Sequence, residues 1–91
     1  MPTINLLRQL ILYGSYYFTA HALEELDADG LDEFDAETAL LYGKIRKSWP
    51  RESKYEVIGP SNDGRNLGII CRITQTNKLR IITAYEDTKR S

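Results

Sequence analysis

The chain has 91 residues, 42% of them hydrophobic and 27% charged, with a formal net charge of −1. That is the composition of one globular domain, which buries roughly 60–65% of its unfolded surface on folding. It excludes an intrinsically disordered chain, a disulfide scaffold (there is one cysteine, Cys71) and a helical membrane protein, since no apolar run nears the ~18 residues a span requires.

A lone cysteine fits a reducing compartment, and Met1-Pro2-Thr3-Ile4-Asn5 lacks the basic start and cleavage pattern of a secretory signal. A cytoplasmic location is expected. The charge is unevenly spread. Residues 1–43 hold one cation, Arg8, against eight acids, a balance of −7; residues 44–91 hold eleven cations against five acids, a balance of +6. One body with an acidic and a basic surface is implied, either for partners or simply as two solvated faces.

In chain order, Ile4, Leu7 and Ile11, joined by Leu6 and Leu10, recur at helical spacing, and Gly14 stands where a left-handed cap belongs. Ser15 to Phe18 reads as a short extended connection. Thr19 is placed to cap a second helix with Ala22, Leu23 and Leu26 as its buried stripe and Gly30 at its end. Asp32 or Asp35 caps a third, with Ala39, Leu40 and Leu41 inside and Gly43 at its end.

Beyond Gly43 the period becomes two. Lys44 to Trp49 reads as a strand stopped by Pro50, and Lys54 to Gly59 as another, followed by the turn signal Asp63-Gly64. Leu67, Ile69, Cys71 and Ile73 alternate with Gly68, Ile70, Arg72 and Thr74, so the odd set should face the helices. Gln75 to Lys78 makes a second hairpin turn into a last strand, Leu79 to Tyr85, and residues 87–91 read as a frayed tail. The expected architecture is a single α+β domain over residues 1–91. Helices over about 3–43 pack on a four-stranded antiparallel sheet over about 44–86.

Among chemistry-bearing residues, one His and one Cys fifty positions apart make no metal-ligand cluster, and no glycine loop of phosphate-cradling type is present. No metal or cofactor is expected. Cys71, mid-strand on the core face, reads as a buried thiol. His21 is the natural proton-transfer residue, pointing away from the apolar stripe with Glu25 on its own helix face; its alternative is a local structural role. The basic residues form the stronger collective signal. Lys47, Arg65, Arg72 and Arg80, interleaved with Trp49, Tyr55 and Tyr85, match what single-stranded RNA demands: cations for phosphates and rings for unstacked bases. Ordinary amphipathic packing is the competing account of the rings. The register of the second hairpin is open. An even-numbered loop puts Thr83 and Tyr85 on the face of Arg72, whereas an odd one puts Arg80 there instead.

His21-Ala22-Leu23-Glu24, Asp29-Gly30-Leu31, Ala39-Leu40-Leu41-Tyr42-Gly43-Lys44-Ile45, Gly64-Arg65-Asn66-Leu67 and Arg80-Ile81-Ile82-Thr83-Ala84-Tyr85 resemble the DUF4258 family. That family is similar to bacterial toxins of the RelE, BrnT and MqsR type. The resemblance implies a RelE-like α+β fold and the toxin half of a toxin–antitoxin pair, a metal-independent endoribonuclease acting on mRNA. It also implies a cognate antitoxin as partner, a zinc-finger protein of MqsA type being one form. His21, Tyr85 and Arg72 are then the catalytic candidates, and Lys47, Arg65, Arg80 and Trp49 the RNA-binding ones. This chain departs from the family at Glu25 and Asp29, where the family carries arginine. The alternative reading is a non-catalytic interaction module of the same fold, docking a basic partner through Glu24 to Glu37.

Overall fold

The structure, a computed structural model, describes residues 3–88. In chain order the elements are α1 (Thr3–Leu12), β1 (Tyr16–Phe18), α2 (Ala20–Ala28), α3 (Glu33–Tyr42), β2 (Lys44–Trp49), a 3₁₀ turn (Pro50–Glu52), β3 (Lys54–Pro60), β4 (Asn66–Ile73) and β5 (Leu79–Glu86). The helices cover one face of a single sheet, with α2 packed on β5, α3 on β3 and α1 against α3. No helix among the described residues is long and apolar enough to cross a membrane.

The helices end where their local chemistry dictates. Thr19 accepts from the N–H of Ala22, closing the first turn of α2. Asp32 caps α3 in a reciprocal box with Asp35, each side chain accepting from the other's backbone N–H at 3.0–3.1 Å. Gly14 leaves α1 at φ +73°, a backbone conformation that a residue with a Cβ rarely adopts. The core lies between the layers, and Leu7, Leu26, Leu40, Val57, Leu67, Ile69, Cys71, Leu79 and Ile81 are fully buried within it. Each of the larger aliphatic side chains contributes about 1.5–3 kcal/mol by leaving water.

The α+β class holds, but the sheet is five-stranded and mixed, in the order β1-β5-β4-β3-β2, rather than four-stranded and antiparallel. The added strand is the Tyr16–Phe18 segment, which pairs parallel with β5 over Leu79 to Ile81. Three residues carry too little alternation to announce a strand, and the backbone pairing that makes them one lies more than sixty positions away. Three side-chain expectations are also corrected. Leu23 is 39% exposed rather than buried. Tyr55, whose partner across the sheet is the buried Cys71, packs against the core instead of standing beside the cations. Asp87, expected in a frayed tail, is fixed. Its N–H donates to the Asn66 carbonyl at 2.7 Å and its carboxylate accepts from Arg46 at 3.0 Å. Of that expected tail, residues 89–91 lie outside the described residues.

The open register of the second hairpin resolves in an unexpected way. Ile70 pairs with Thr83 and Cys71 with Ile81, so Ile82 is an extra residue in β5. One bulged residue reverses the parity of everything beyond it. Arg80 and Tyr85 therefore both share the face of Arg72, which an unbroken strand would have forbidden.

Candidate functional site

The sheet face turned away from the helices can be read from the register as rows of cross-strand neighbours. One row crosses all five strands: Tyr17, Arg80, Arg72, Lys54, Trp49. With strands about 4.8 Å apart, it is about 19 Å long. Three cations stand in line between two aromatic residues. Arg72 and Arg80 are direct partners, and like charges directly opposite one another destabilise a sheet. Glu52 offsets part of this, 3.5 Å from both Lys54 and Arg72. Arg80 has no acidic partner among the described residues, and the Arg72 Nε is buried without a hydrogen-bond partner. Lys54 and Lys47 hold their ammonium groups 4.8 and 5.4 Å from the centre of the Trp49 ring. A cleft of about 540 Å³ opens at one end, with Tyr17, Arg51, Arg72 and Arg80 among its lining residues.

A second cleft of about 580 Å³ on the same face is lined by Arg46, Lys47, Glu56, Tyr85 and Asp87. Arg46 is the extra residue of a bulge in β2, since Ile45 pairs with Val57 and Lys47 with Glu56. Its guanidinium donates to Asp87 at 3.0 Å, to Glu56 at 3.1 Å and to the Tyr85 hydroxyl oxygen at 3.0 Å. The Tyr85 hydroxyl in turn donates to Glu56. Gly68 lies opposite Tyr85 in the register, and a Cβ there would fall 2.6 Å from the ring's Cε2. The bare glycine is what seats the ring.

These contacts set the ionisation of the cleft. Burial, then the bond to Glu56, pushes the Tyr85 phenol up to about 12. Hydrogen bonds from Arg46 and then Tyr85 hold the Glu56 carboxyl below its ordinary 4.5. A carboxyl with a lowered folded pKa contributes stability that is complete above its unfolded value and lost as pH falls through the folded one. Urea unfolding from about pH 6 down to about pH 2 should show this loss below about 4.5, and Glu56→Gln should flatten that part of the profile.

The residues singled out from sequence fall into different surroundings. Tyr85 and Lys47 meet in the second cleft, and Arg72 and Arg80 in the first, with Trp49 at the far end of their row. His21 joins neither lining. Its ring is 65% exposed on α2, with Nε2 3.3 Å from Glu25. Arg65 is committed to holding the fold: it pairs with Asp63 at 3.0 Å and Glu86 at 3.3 Å, and donates to the carbonyls of Asp29 and Gly30 at the end of α2. Cys71 is fully buried, and desolvation pushes its thiol up to about 12.

Glu56, Asp87 and Tyr17 escaped the sequence reading. Glu56 was within reach of it, since it alternates with Tyr55 and Val57 in β3; Tyr17 and Asp87 were not, because one depends on the parallel pairing of β1 and the other on Arg46. The acids at Glu25 and Asp29 also gain an explanation. Beyond Phe18, β1 no longer covers the edge of β5, and α2 takes over. The Thr19 hydroxyl donates to the Ile82 carbonyl, Glu25 accepts from the Ala84 N–H at 3.0 Å, and Asp29 accepts from the Glu86 N–H at 3.3 Å. An arginine at either position could not accept these bonds.

No curated protein and no solved structure matches the chain. The family described as "Domain of unknown function (DUF4258)" matches residues 18–86, which contain α2 to β5 and every residue of the two clefts except Tyr17 and Asp87. With three quarters of its length in that match, the chain belongs to the DUF4258 family.

Proposed function

We propose that the protein is a metal-independent endoribonuclease acting on mRNA in the cytoplasm, the toxin half of a toxin–antitoxin pair of RelE-like type, with the outer sheet face as its RNA groove. One observation carries the reading: cations, the exposed Tyr17 and the half-buried Trp49 share a single sheet face, in a row across all five strands beside a Tyr–Glu–Arg cluster. Phosphates of a single strand neutralise Arg72, Arg80 and Lys54, whose mutual repulsion an anion relieves, while Tyr17 and Trp49 offer faces to unstacked bases. A cognate antitoxin, with a zinc-finger protein as one form, keeps the groove from RNA.

In this reading Glu56, rather than the exposed His21, carries the proton chemistry. In the free protein Arg46 and Tyr85 hold the Glu56 carboxyl low, which makes it a weak base. A scissile phosphate that draws Arg46 onto its own oxygens removes the larger of these influences and raises the basicity of Glu56 as substrate binds. Glu56 then takes the proton of the 2′-hydroxyl, O2′ bonds to phosphorus, and the bond to the 5′-oxygen breaks, with Lys47 returning a proton to that oxygen. Tyr85 orients the phosphate through its hydroxyl.

Purified protein incubated with 5′-labelled single-stranded RNA in EDTA should release fragments ending in a cyclic phosphate. Glu56→Gln should slow cleavage about 10²–10³-fold with little loss of RNA affinity, and His21→Ala should leave it unchanged. Intact RNA after prolonged incubation, together with normal growth on induced expression without the neighbouring gene, would sink the nuclease.

A further inference from the structure

Acids crowd the helical layer, and most of them have structural employment. Glu25 and Asp29 satisfy the edge of β5. Asp32 and Asp35 cap α3, and Asp35 also accepts from the Asn62 N–H at 2.9 Å. Glu37 accepts from the Tyr16 hydroxyl. Glu24, Asp27 and Glu33 have no hydrogen-bond or ion-pair partner among the described residues. Asp27 and Glu33 stand on the rim of a groove of about 280 Å³ between α2 and the start of α3.

That groove is apolar inside. Leu26 and Leu31 form its floor, 1% and 6% exposed, while Leu23 and Phe34 stand on its sides at 39% and 68%. Exposing a phenylalanine to that degree beside a leucine wall leaves apolar area in water that a partner would remove. No cation among the described residues pairs with these rim acids: Arg8, the single cation before residue 44, donates to the Gly43 carbonyl at the far end of α3, and Arg65, at the end of α2, is paired with Asp63 and Glu86.

We propose that this α2–α3 groove is a docking site for a basic amphipathic helix of a partner protein. Its apolar face would seat one or two large side chains between Leu23 and Phe34, and its lysines or arginines would pair with Asp27 and Glu33. Charge complementarity selects this occupant. The acidic rim repels RNA, and the groove lies on the layer opposite the basic sheet face. The site is independent of the nuclease reading and survives its failure. Phe34 and Leu23 act as anchors in the helix-in-groove manner, and the unpartnered acids set the sign of the partner.

The test uses the full chain and a roughly 18-residue peptide with leucines at i, i+3, i+4 and i+7 and lysines elsewhere, beside an otherwise identical peptide carrying glutamates. Amide shifts in the ¹⁵N spectrum should move for residues of α2 and the start of α3 with the lysine peptide and stay in place with the glutamate peptide. Phe34→Ala and Leu23→Ala, both on exposed side chains, should weaken binding about tenfold or more, and Asp27→Asn with Glu33→Gln by several-fold. Neither pair should alter RNA affinity. Shifts spread over the sheet face, equal binding of the glutamate peptide, or a protein dimer that Phe34→Ala dissociates would overturn the assignment.

Discussion

Replacing Arg72 and Arg80 together by alanine is expected to cut affinity for single-stranded RNA about ten- to a hundredfold at low salt. The plot of log K against log salt should become shallower by about 1.4, because two phosphate contacts are lost. Wild-type and variant should converge as salt rises. The same substitution should leave the protein as stable as before, or slightly more so, since it removes a like-charge pair from directly opposed positions on β4 and β5. These opposite signs make the experiment decisive. Residues kept for the fold would lower the unfolding midpoint when truncated; residues kept for a ligand lower only binding. Fluorescence anisotropy of a labelled oligonucleotide at three or more salt concentrations, beside urea unfolding of both proteins, reads the two quantities separately. A variant that loses stability and keeps RNA affinity would remove the row from the functional argument.

Gly59→Ala should have the largest effect on stability, about 3 kcal/mol, which lowers the melting temperature of a domain of this size by about 15 °C. A Cβ at Gly59 would fall 2.8 Å from the Ala39 Cα and closer still to its carbonyl oxygen. The obstacle is helix backbone and cannot rotate away. Gly43 faces the same place from the other side, where a Cβ would lie 2.9 Å from the Gly59 Cα. Two glycines thus let α3 settle directly onto β3. The clash is with main chain, so trimming Ala39 to glycine should not rescue Gly59→Ala. Gly64→Ala is the control. Its site is open, and the cost there is only that of φ +89°, about 1–2 kcal/mol. Thermal unfolding of the three proteins checks the ranking.

A glycine inside a strand announces close approach or a bend, and Gly59 and Gly68, which read from sequence as turn residues, stand inside β3 and β4. What approaches each one is decided by the fold: a helix carbonyl at Gly59 and the Tyr85 ring at Gly68. The same division runs through the candidate site. The alternation along β4 put Leu67, Ile69 and Cys71 inside and Arg72 outside from local pattern alone, and all three apolar residues are fully buried. Arg65 shows the opposite case. Its charge and its place after Asp63-Gly64 suited phosphate as well as any other arginine, yet the fold brings the carbonyl end of α2 to it.

Local sequence determined the order of the three helices and of β2 to β5, most of their caps and turns, the absence of an internal disulfide, and the separation of an acidic helical half from a basic strand half. All of these depend on side chains within a few positions of one another, or on simple counts. Tertiary structure alone decided that Tyr16–Phe18 is a strand, that Arg80 and Tyr85 share the face of Arg72, and that His21 stands outside both clefts. For the shared face, the physical reason is the bulge at Ile82. Its carbonyl, lying outside the β1 pairing, receives the Thr19 hydroxyl at 3.0 Å, so the position of the extra residue coincides with the point where a distant helix replaces a strand at the edge of β5. No pattern within β5 encodes that exchange, because the partner that requires it is sixty residues away.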